Sequence, residues 1–278
     1  DATERLVLVL ITVLGATLRV WYQHDRPFQG DEVGTLLYMR RSPDYILSNF
    51  GPWLSMNYFI LIEKGLARAF GSGPWVLTAL PLLASVCTIP LMVVLALNFC
   101  SHRSALIAGA LTAMNAYLVE FGPVIRSYSL LVALTLVTAI LFFRWHARPT
   151  GGRAVACAAA ATVACILHPV GIYVWAGIGL LVAASWVARV RAGSSTKRIL
   201  ADVRTMGLAF LVGGAALVLA YARLYPGMSA TNAKWTDRPP TSIDYLPHVF
   251  SSHFAEGLLG LVTGLFLALG TWTAIQEK

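Results

Sequence analysis

Charged residues are scarce in this sequence. Asp, Glu, Lys and Arg together make up 12% of the 278 residues, while hydrophobic residues make up 57%. A soluble domain carries about 25% charged residues. Apolar runs of roughly 17 to 25 residues recur along the chain, and each can cross about 30 Å of hydrocarbon as a helix. The shortage of charge therefore excludes an ordinary soluble domain and predicts an all-α polytopic membrane protein.

Cysteine and acidic residues are also few. The four cysteines, Cys87, Cys100, Cys157 and Cys165, lie in or beside apolar segments without metal-ligand spacing, so we expect buried free thiols. The chain has 21 Lys and Arg against 13 Asp and Glu. Because this basic excess falls mostly in short loops, it indicates membrane orientation rather than binding to nucleic acid.

Eight apolar segments are predicted to be spans: 6–22, 75–98, 104–121, 127–145, 154–168, 170–188, 204–223 and 254–274. The first lacks the small-residue cleavage site of a secretory signal peptide, so we expect it to remain as a span. The basic loops 144–153 and 189–204 are expected in the cytoplasm. That orientation places the loops 23–74, 122–127, around 168 and 224–253 on the outer face.

The helical stretch 53–70 is predicted to lie in the outer interface rather than to cross the membrane. Glu63, Lys64 and Arg68 interrupt its apolar residues, as in an amphipathic helix. A full crossing is the alternative, but it would put half of the basic loops on the wrong side.

The composition does not change abruptly anywhere, so one membrane domain is expected over 1–278. It comprises a seven-span module over 1–223, a long polar loop over 224–253 and an eighth span within 254–278. The first residue is not Met and the sequence ends just beyond a span, so we expect it to be part of a longer chain.

The only adjacent acidic pair, Asp31-Glu32, follows the first span. Carboxylates beside lipid are costly unless they are solvated, paired or used. The predicted topology brings cations and aromatic residues to the same outer face, and this combination suits an anionic, lipid-linked substrate. The candidate substrate-binding residues are Arg126, Tyr128, His168, Lys234 and Arg238.

Each candidate also has a simpler explanation. Asp31 could be the N-cap of a helix over 32–41, with Glu32 at its positive end. Arg126 could be an interface anchor that reaches the lipid headgroups, and Tyr128 could belong to an aromatic belt. His168 could be a satisfied helix-end residue, and Lys234 could contact headgroups.

The sequence resembles the GT-C superfamily of membrane glycosyltransferases, and within it the protein O-mannosyltransferase family with its bacterial relatives, which include an aminoarabinose transferase. The resemblance covers roughly residues 6 to 223. Four features carry it, in this order along the chain: Gly30-Asp31-Glu32 after the first span, an amphipathic helix that ends in Ala69-Phe70-Gly71, Ile125-Arg126-Ser127-Tyr128 at the start of a span, and Leu167-His168-Pro169 at an outer helix end.

The resemblance implies a GT-C-like module and an inverting transferase of the bacterial inner membrane. Such an enzyme moves a sugar from a polyprenyl-phosphate donor to an acceptor on the extracytoplasmic face. By the same resemblance, Asp31 would be the general base, and Glu32 would support it or a divalent cation. Arg126 would neutralise the leaving phosphate, with Lys234 or Arg238 adding to this.

Two other functions remain open at this stage. A non-catalytic GT-C-like subunit of a larger membrane complex, with partner subunits, would explain why Trp53-Leu54-Ser55-Met56 stands where the family often has a His-Pro-Pro-Leu-like box. The retained Asp31-Glu32 and Arg126 oppose it. A transporter would need broken helices or ionisable residues near mid-membrane, and the predicted spans after residue 75 contain none.

Overall fold

The structure is a computed structural model of the chain, and it describes residues 2–24, 26–28, 30–49, 56–193, 195–222 and 224. Over these residues the chain forms eleven helices and no strands. The helices are α1 (Ala2–His24), α2 (Gly30–Met39), α3 (Pro43–Ser48), α4 (Asn57–Phe70), α5 (Pro74–Ala96), α6 (His102–Met114), α7 (Ala116–Glu120), α8 (Tyr128–Ala147), α9 (Gly151–Leu167), α10 (Gly171–Arg191) and α11 (Thr196–Ala222).

The chain divides into two units, Asp1–Met228 and Ser229–Lys278. The described residues all belong to the first unit. The predicted eighth span lies outside the described residues, as does the predicted loop 224–253 apart from Leu224.

The prediction of an all-α membrane protein is confirmed. In the part of the chain that the structure describes, five helices are long and apolar enough to cross a membrane: α1, α5, α8, α10 and the Leu200–Ala222 part of α11. The helix α9 is apolar but has only 17 residues. Its buried face is rich in Ala, so it packs closely against α8, α10 and α11.

The predicted span 104–121 is divided into two helices. The first, α6, has 13 residues, which corresponds to about 20 Å and is shorter than the hydrocarbon core. The chain leaves the helical conformation at Asn115, whose ψ is 117° and whose side chain caps α7 by accepting from Leu118 N. A polar cap residue inside an otherwise apolar run therefore ends this helix early.

Arg19 supplies hydrogen bonds to the backbone carbonyl groups at the end of α6. This side chain of α1 is fully buried. It donates to the carbonyl oxygens of Thr112 (3.3 Å) and Ala113 (3.0 Å) in the last turn of α6, and also to Ser85 Oγ (2.7 Å) and Gly15 O (2.9 Å). A cation at the carbonyl end of a helix is favourable, so Arg19 joins α1, α5 and α6.

The predicted amphipathic helix is present as α4 and is too short, at 14 residues, to span a membrane. It ends at Gly71, whose φ of +94° is in the region that favours glycine. Lys64 donates to the carbonyl oxygens of Met39 (2.6 Å) and Arg41 (2.7 Å), which ties α4 to the end of α2. This contact fixes the position of α2 relative to α4.

The two ends of the helix bundle differ in charge. The basic end contains the N-termini of α1, α6, α9 and α11 and the C-termini of α8 and α10. Among the residues whose side chains the structure describes, it carries two acids, Glu4 and Asp202, and nine cations: Arg5, Arg103, Arg144, Arg148, Arg153, Arg189, Arg191, Lys197 and Arg204. The opposite end, which we call the α2 end, carries α2, α4 and the turn over 121–127, with acids and cations in similar numbers.

Candidate active site

The acidic pair lies in the first turn of α2. This helix begins at Gly30, so Asp31 is inside the helix rather than its N-cap, which answers the first of the simpler explanations. Carboxylates in a first turn are favourably placed at the positive end of the helix. The two side chains face different surroundings: Glu32 is fully buried, whereas the Asp31 side chain is 47% exposed.

Glu32 holds two loops together. Its two oxygens each accept from the guanidinium of Arg26 at 2.7 Å, and Oε1 also accepts from the backbone N–H of Ile125 at 2.8 Å. The Arg26 side chain is itself nearly buried. A bidentate pair of this kind is strong and directional, so Glu32 fixes the segment after α1 against the turn before α8.

Arg126 lies on that same turn and reaches the other acid. Its Nη2 is 3.2 Å from Asp31 Oδ2, and its side chain is only 3% exposed. A buried guanidinium does not reach out to lipid headgroups, so the interface-anchor explanation for Arg126 does not fit this geometry. The arrangement is a half-exposed carboxylate beside a buried cation.

Tyr128 and His168 come together as the sequence predicts. Their ring centroids are 5.7 Å apart. His168 is buried, and its Nδ1 accepts from the N–H of Val170 at 3.1 Å, at the start of α10. Burial and the nearby charge of Arg126 lower the pKa of His168. The imidazole is therefore neutral near pH 7, and because Nδ1 accepts, Nε2 carries the proton.

The α2 end thus brings together four of the predicted site residues: Asp31, Arg126, Tyr128 and His168. Glu32 supports them by holding the neighbouring loops together. Lys234 and Arg238 lie outside the described residues. The site places a carboxylate that solvent can reach beside a buried positive charge and a neutral histidine. Such a set can bind an anion and accept a proton from a neighbouring hydroxyl.

The sequence alone does not identify two further residues of the α2 end, Arg26 and Glu63. Arg26 was part of the first loop but was not assigned a role, and the partner it selects could not be read from spacing alone. The amphipathic pattern predicts Glu63 on the polar face of α4, yet Glu63 is fully buried. Its position four residues after Phe59, which is also buried, is the signal that places it on the inner face.

Asp31 and Glu32 do not fit a divalent cation. Both oxygens of Glu32 are engaged by Arg26, and Asp31 is paired with Arg126. Two guanidinium groups beside the carboxylates oppose a further cation. Within the described ranges, no group of three or more His, Cys, Asp or Glu side chains is arranged to hold a metal ion.

No family model matches the chain, and the searches of curated proteins and of solved structures give no significant match.

Proposed function

We propose that the chain transfers a sugar from a polyprenyl-phosphate donor to an acceptor at the extracytoplasmic face of the membrane. The observation that carries this proposal is the 3.2 Å contact between half-exposed Asp31 and buried Arg126. A general base must be reachable by the acceptor, and a phosphate partner is more effective when it is shielded from water. The pair meets both requirements.

In the proposed reaction the acceptor hydroxyl oxygen forms a bond to the anomeric carbon and gives its proton to the Asp31 carboxylate. The bond between the anomeric carbon and the phosphate oxygen breaks, and its electron pair leaves with the polyprenyl phosphate. This single displacement inverts the anomeric configuration. Arg126 stabilises the charge that develops on the leaving phosphate, and the phosphate takes the place of Asp31 at the guanidinium.

The charge distribution supports the proposed orientation. Basic residues collect on the cytoplasmic side of membrane proteins, and the basic end carries nine cations against two acids among the described side chains. We therefore propose that the α2 end faces the extracytoplasmic side, and that the membrane is the bacterial inner membrane that the resemblance implies. The other proposed partners are the bilayer itself and the donor lipid.

The test is a transfer assay with the purified protein, polyprenyl-phosphate sugars and membrane-derived acceptors. We expect Asp31→Asn to lower transfer at least about 100-fold, as loss of a general base does. The matched control is Asp44→Asn, which removes a carboxylate from the same segment outside the site. Wild-type turnover in Asp31→Asn would exclude the base role of Asp31.

Donor binding is tested separately by native mass spectrometry of the detergent-solubilised protein. A co-purified polyprenyl phosphate, or its glycosylated form, is expected in the wild type and absent from Arg126→Gln. Arg68→Gln, which removes an exposed cation of α4, is the control and should keep the lipid.

A second candidate is a non-catalytic subunit of a larger membrane complex. The observation that favours it is the pairing of both carboxylates with arginines, which by itself only stiffens the α2 end. In that case Asp31→Asn changes no transfer rate. Instead, a protein partner accompanies the solubilised chain in stoichiometric amount, with no donor lipid in the mass spectrum.

A further inference from the structure

An apolar groove lies at the basic end of the helix bundle, whereas the candidate active site lies at the α2 end. It runs between the start of α9 and the first half of α11 and has a volume of about 570 Å³. Its walls are mainly apolar, from Val155, Leu208, Ala209 and Val212. Gly151, Arg204 and Thr205 form its polar end.

The polar end is built by close contact of the two helices. A Cβ added at Gly151 would lie 3.7 Å from the Thr205 methyl carbon, so the first residue of α9 lies close to α11. The N–H groups of the first turn of α9 carry the positive end of a 17-residue helix. Arg204 adds a full positive charge at the same end of the groove.

The Arg204 charge is not used elsewhere in the described part of the chain. The nearby acid, Asp202, is bound by Arg189 of α10 at 2.6 Å. Arg204 is exposed, and the structure gives it no ion pair or hydrogen bond within the described residues. Arg153 also lies near the start of α9, but it donates to the carbonyl oxygens of Arg144 and Arg148.

The length of the groove matches one leaflet. From Arg204 to Val212 the helix rises about 12 Å, just under the roughly 15 Å that one leaflet contributes to a 30 Å hydrocarbon core. Leu208 and Val212 are exposed in the structure, so in a bilayer an apolar chain covers them. The basic residue stands where the headgroup of that lipid lies.

We propose that this groove binds one anionic phospholipid of the basic-side leaflet. Its phosphate pairs with Arg204 at the start of α9, and an acyl chain lies along Val155, Leu208 and Val212. The proposal is independent of the transfer reaction proposed for the other end, because no residue of the groove belongs to the candidate active site.

The test is native mass spectrometry of the full chain in detergent, titrated with a phosphatidylglycerol, with a phosphatidylcholine of the same acyl chains, and with inorganic phosphate. The wild type is expected to bind one phosphatidylglycerol more tightly than the others. Arg204→Gln should weaken this binding about fivefold, since one arginine near an anionic surface contributes about 1 kcal/mol. Arg204→Lys keeps the charge and should keep most of the binding.

Two variants complete the design. Arg191→Gln removes an exposed arginine of the same end outside the groove and should leave the affinity unchanged. Leu208→Trp fills the apolar part and should weaken both phospholipids. Size-exclusion profiles and Tm values identify any variant that fails to fold.

Equal losses in Arg204→Gln and Arg191→Gln would overturn the proposal in favour of general surface attraction. Equal affinity for both phospholipids would overturn the preference for an anionic headgroup, and free phosphate binding as tightly as the lipid would overturn the role of the acyl chain. Identical lipid binding in all variants would overturn the proposal, because the lipid would then bind outside the groove.

Discussion

Asp31 and Glu32 are adjacent in sequence but occupy different environments. Successive side chains on a helix point about 100° apart, so one carboxylate faces the interior and the other faces water. Which one is buried is decided by the Ile125 N–H, 93 residues away in sequence. The sequence could therefore predict that the pair matters, but not how its two members divide their roles.

Glu32→Gln is expected to lower the free energy of unfolding by about 3 to 5 kcal/mol, because it leaves the Arg26 charge buried without a carboxylate. Asp31→Asn should cost less than Glu32→Gln, since the Asp31 side chain is half exposed and its ion pair with Arg126 is partly screened by solvent. Unfolding in detergent, followed by circular dichroism, measures both. Equal losses in the two variants would contradict the assignment of Glu32 as the structural member.

Glu63 is a buried acid on the inner face of α4. Neither of its oxygens has a hydrogen-bond partner among the described residues. Burial raises the pKa of Glu63 from 4.5 to about 8. The folded protein therefore keeps this carboxyl protonated at neutral pH, which lessens the cost of placing it in an apolar contact.

This shift predicts a pH dependence of stability. Between pH 4.5 and about 8 the unfolded chain has released the Glu63 proton and the folded chain still holds it. The contribution of Glu63 to the free energy of unfolding thus falls as pH rises, by about 1.4 kcal/mol per pH unit, and is constant above pH 8.

The check is the difference in unfolding free energy between wild type and Glu63→Gln, measured from pH 5 to 9. The variant cannot ionise, so the difference should grow with pH up to about 8, with the variant the more stable at high pH. A difference that does not change with pH would show that Glu63 is ionised in the folded state.

At the scale of helices, the break at Asn115 is the largest departure from the predicted spans. The sequence contained both signals, an Asn inside an apolar run and a single Arg inside the first span. Their connection could not be predicted, because Arg19 and Ala113 are 94 residues apart. The remaining helices agree better with the prediction because their length follows from continuous apolar runs.

Arg19→Met is expected to lower Tm clearly, because the carbonyl groups of Thr112 and Ala113 lose their donor in an apolar interior. Arg19→Lys should recover only part of the loss, since an ammonium group cannot reproduce the planar fork. Arg5→Gln, an exposed arginine of the same helix, should leave Tm nearly unchanged. A similar Tm for Arg19→Met and Arg5→Gln would exclude the capping role.

Close helix packing predicts opposite effects at two glycines. A Cβ at Gly15 would lie 2.3 Å from Ile89 Cδ1 and 3.2 Å from the Ala113 Cα, whereas a Cβ at Gly65 meets nothing within 4 Å. Gly15→Ala should therefore destabilise the protein by about 1 to 3 kcal/mol. Gly65→Ala should stabilise it by about 0.4 to 1 kcal/mol. Thermal unfolding of both variants in one detergent provides the comparison, and a stabilised Gly15→Ala would contradict the packing described for α1.

At the scale of the whole molecule, the uneven distribution of charge is the property most readily predicted. It depends on composition and span order, which the sequence contains. The candidate site could be predicted only in part. The sequence identifies Asp31, Arg126, Tyr128 and His168 as candidates, and the structure brings them together. The pairing of each acid with a particular arginine depends on how the turns fold, and no spacing rule encodes it.

The proposed orientation can be tested with single cysteines in a background without the four native ones. Ser72→Cys lies at the α2 end and Ala192→Cys at the basic end, and both positions are exposed. A membrane-impermeant maleimide added to intact cells with permeabilised outer membranes should label residue 72 and spare residue 192. Labelling of residue 192 alone would reverse the orientation and exclude an extracytoplasmic reaction.

The capping of α6 by Arg19 also affects how the protein is made. Arg19 leaves the ribosome 66 residues before Ser85 and 94 residues before Ala113, which are two of the groups that bind it. At about 5 to 20 residues per second, the last of these acceptors follows roughly 5 to 20 s later. During that interval the guanidinium is best placed at the interface, which it can reach from near the end of the helix. We therefore expect the first helix to reach its final depth in the bilayer only after α5 and α6 have been synthesised.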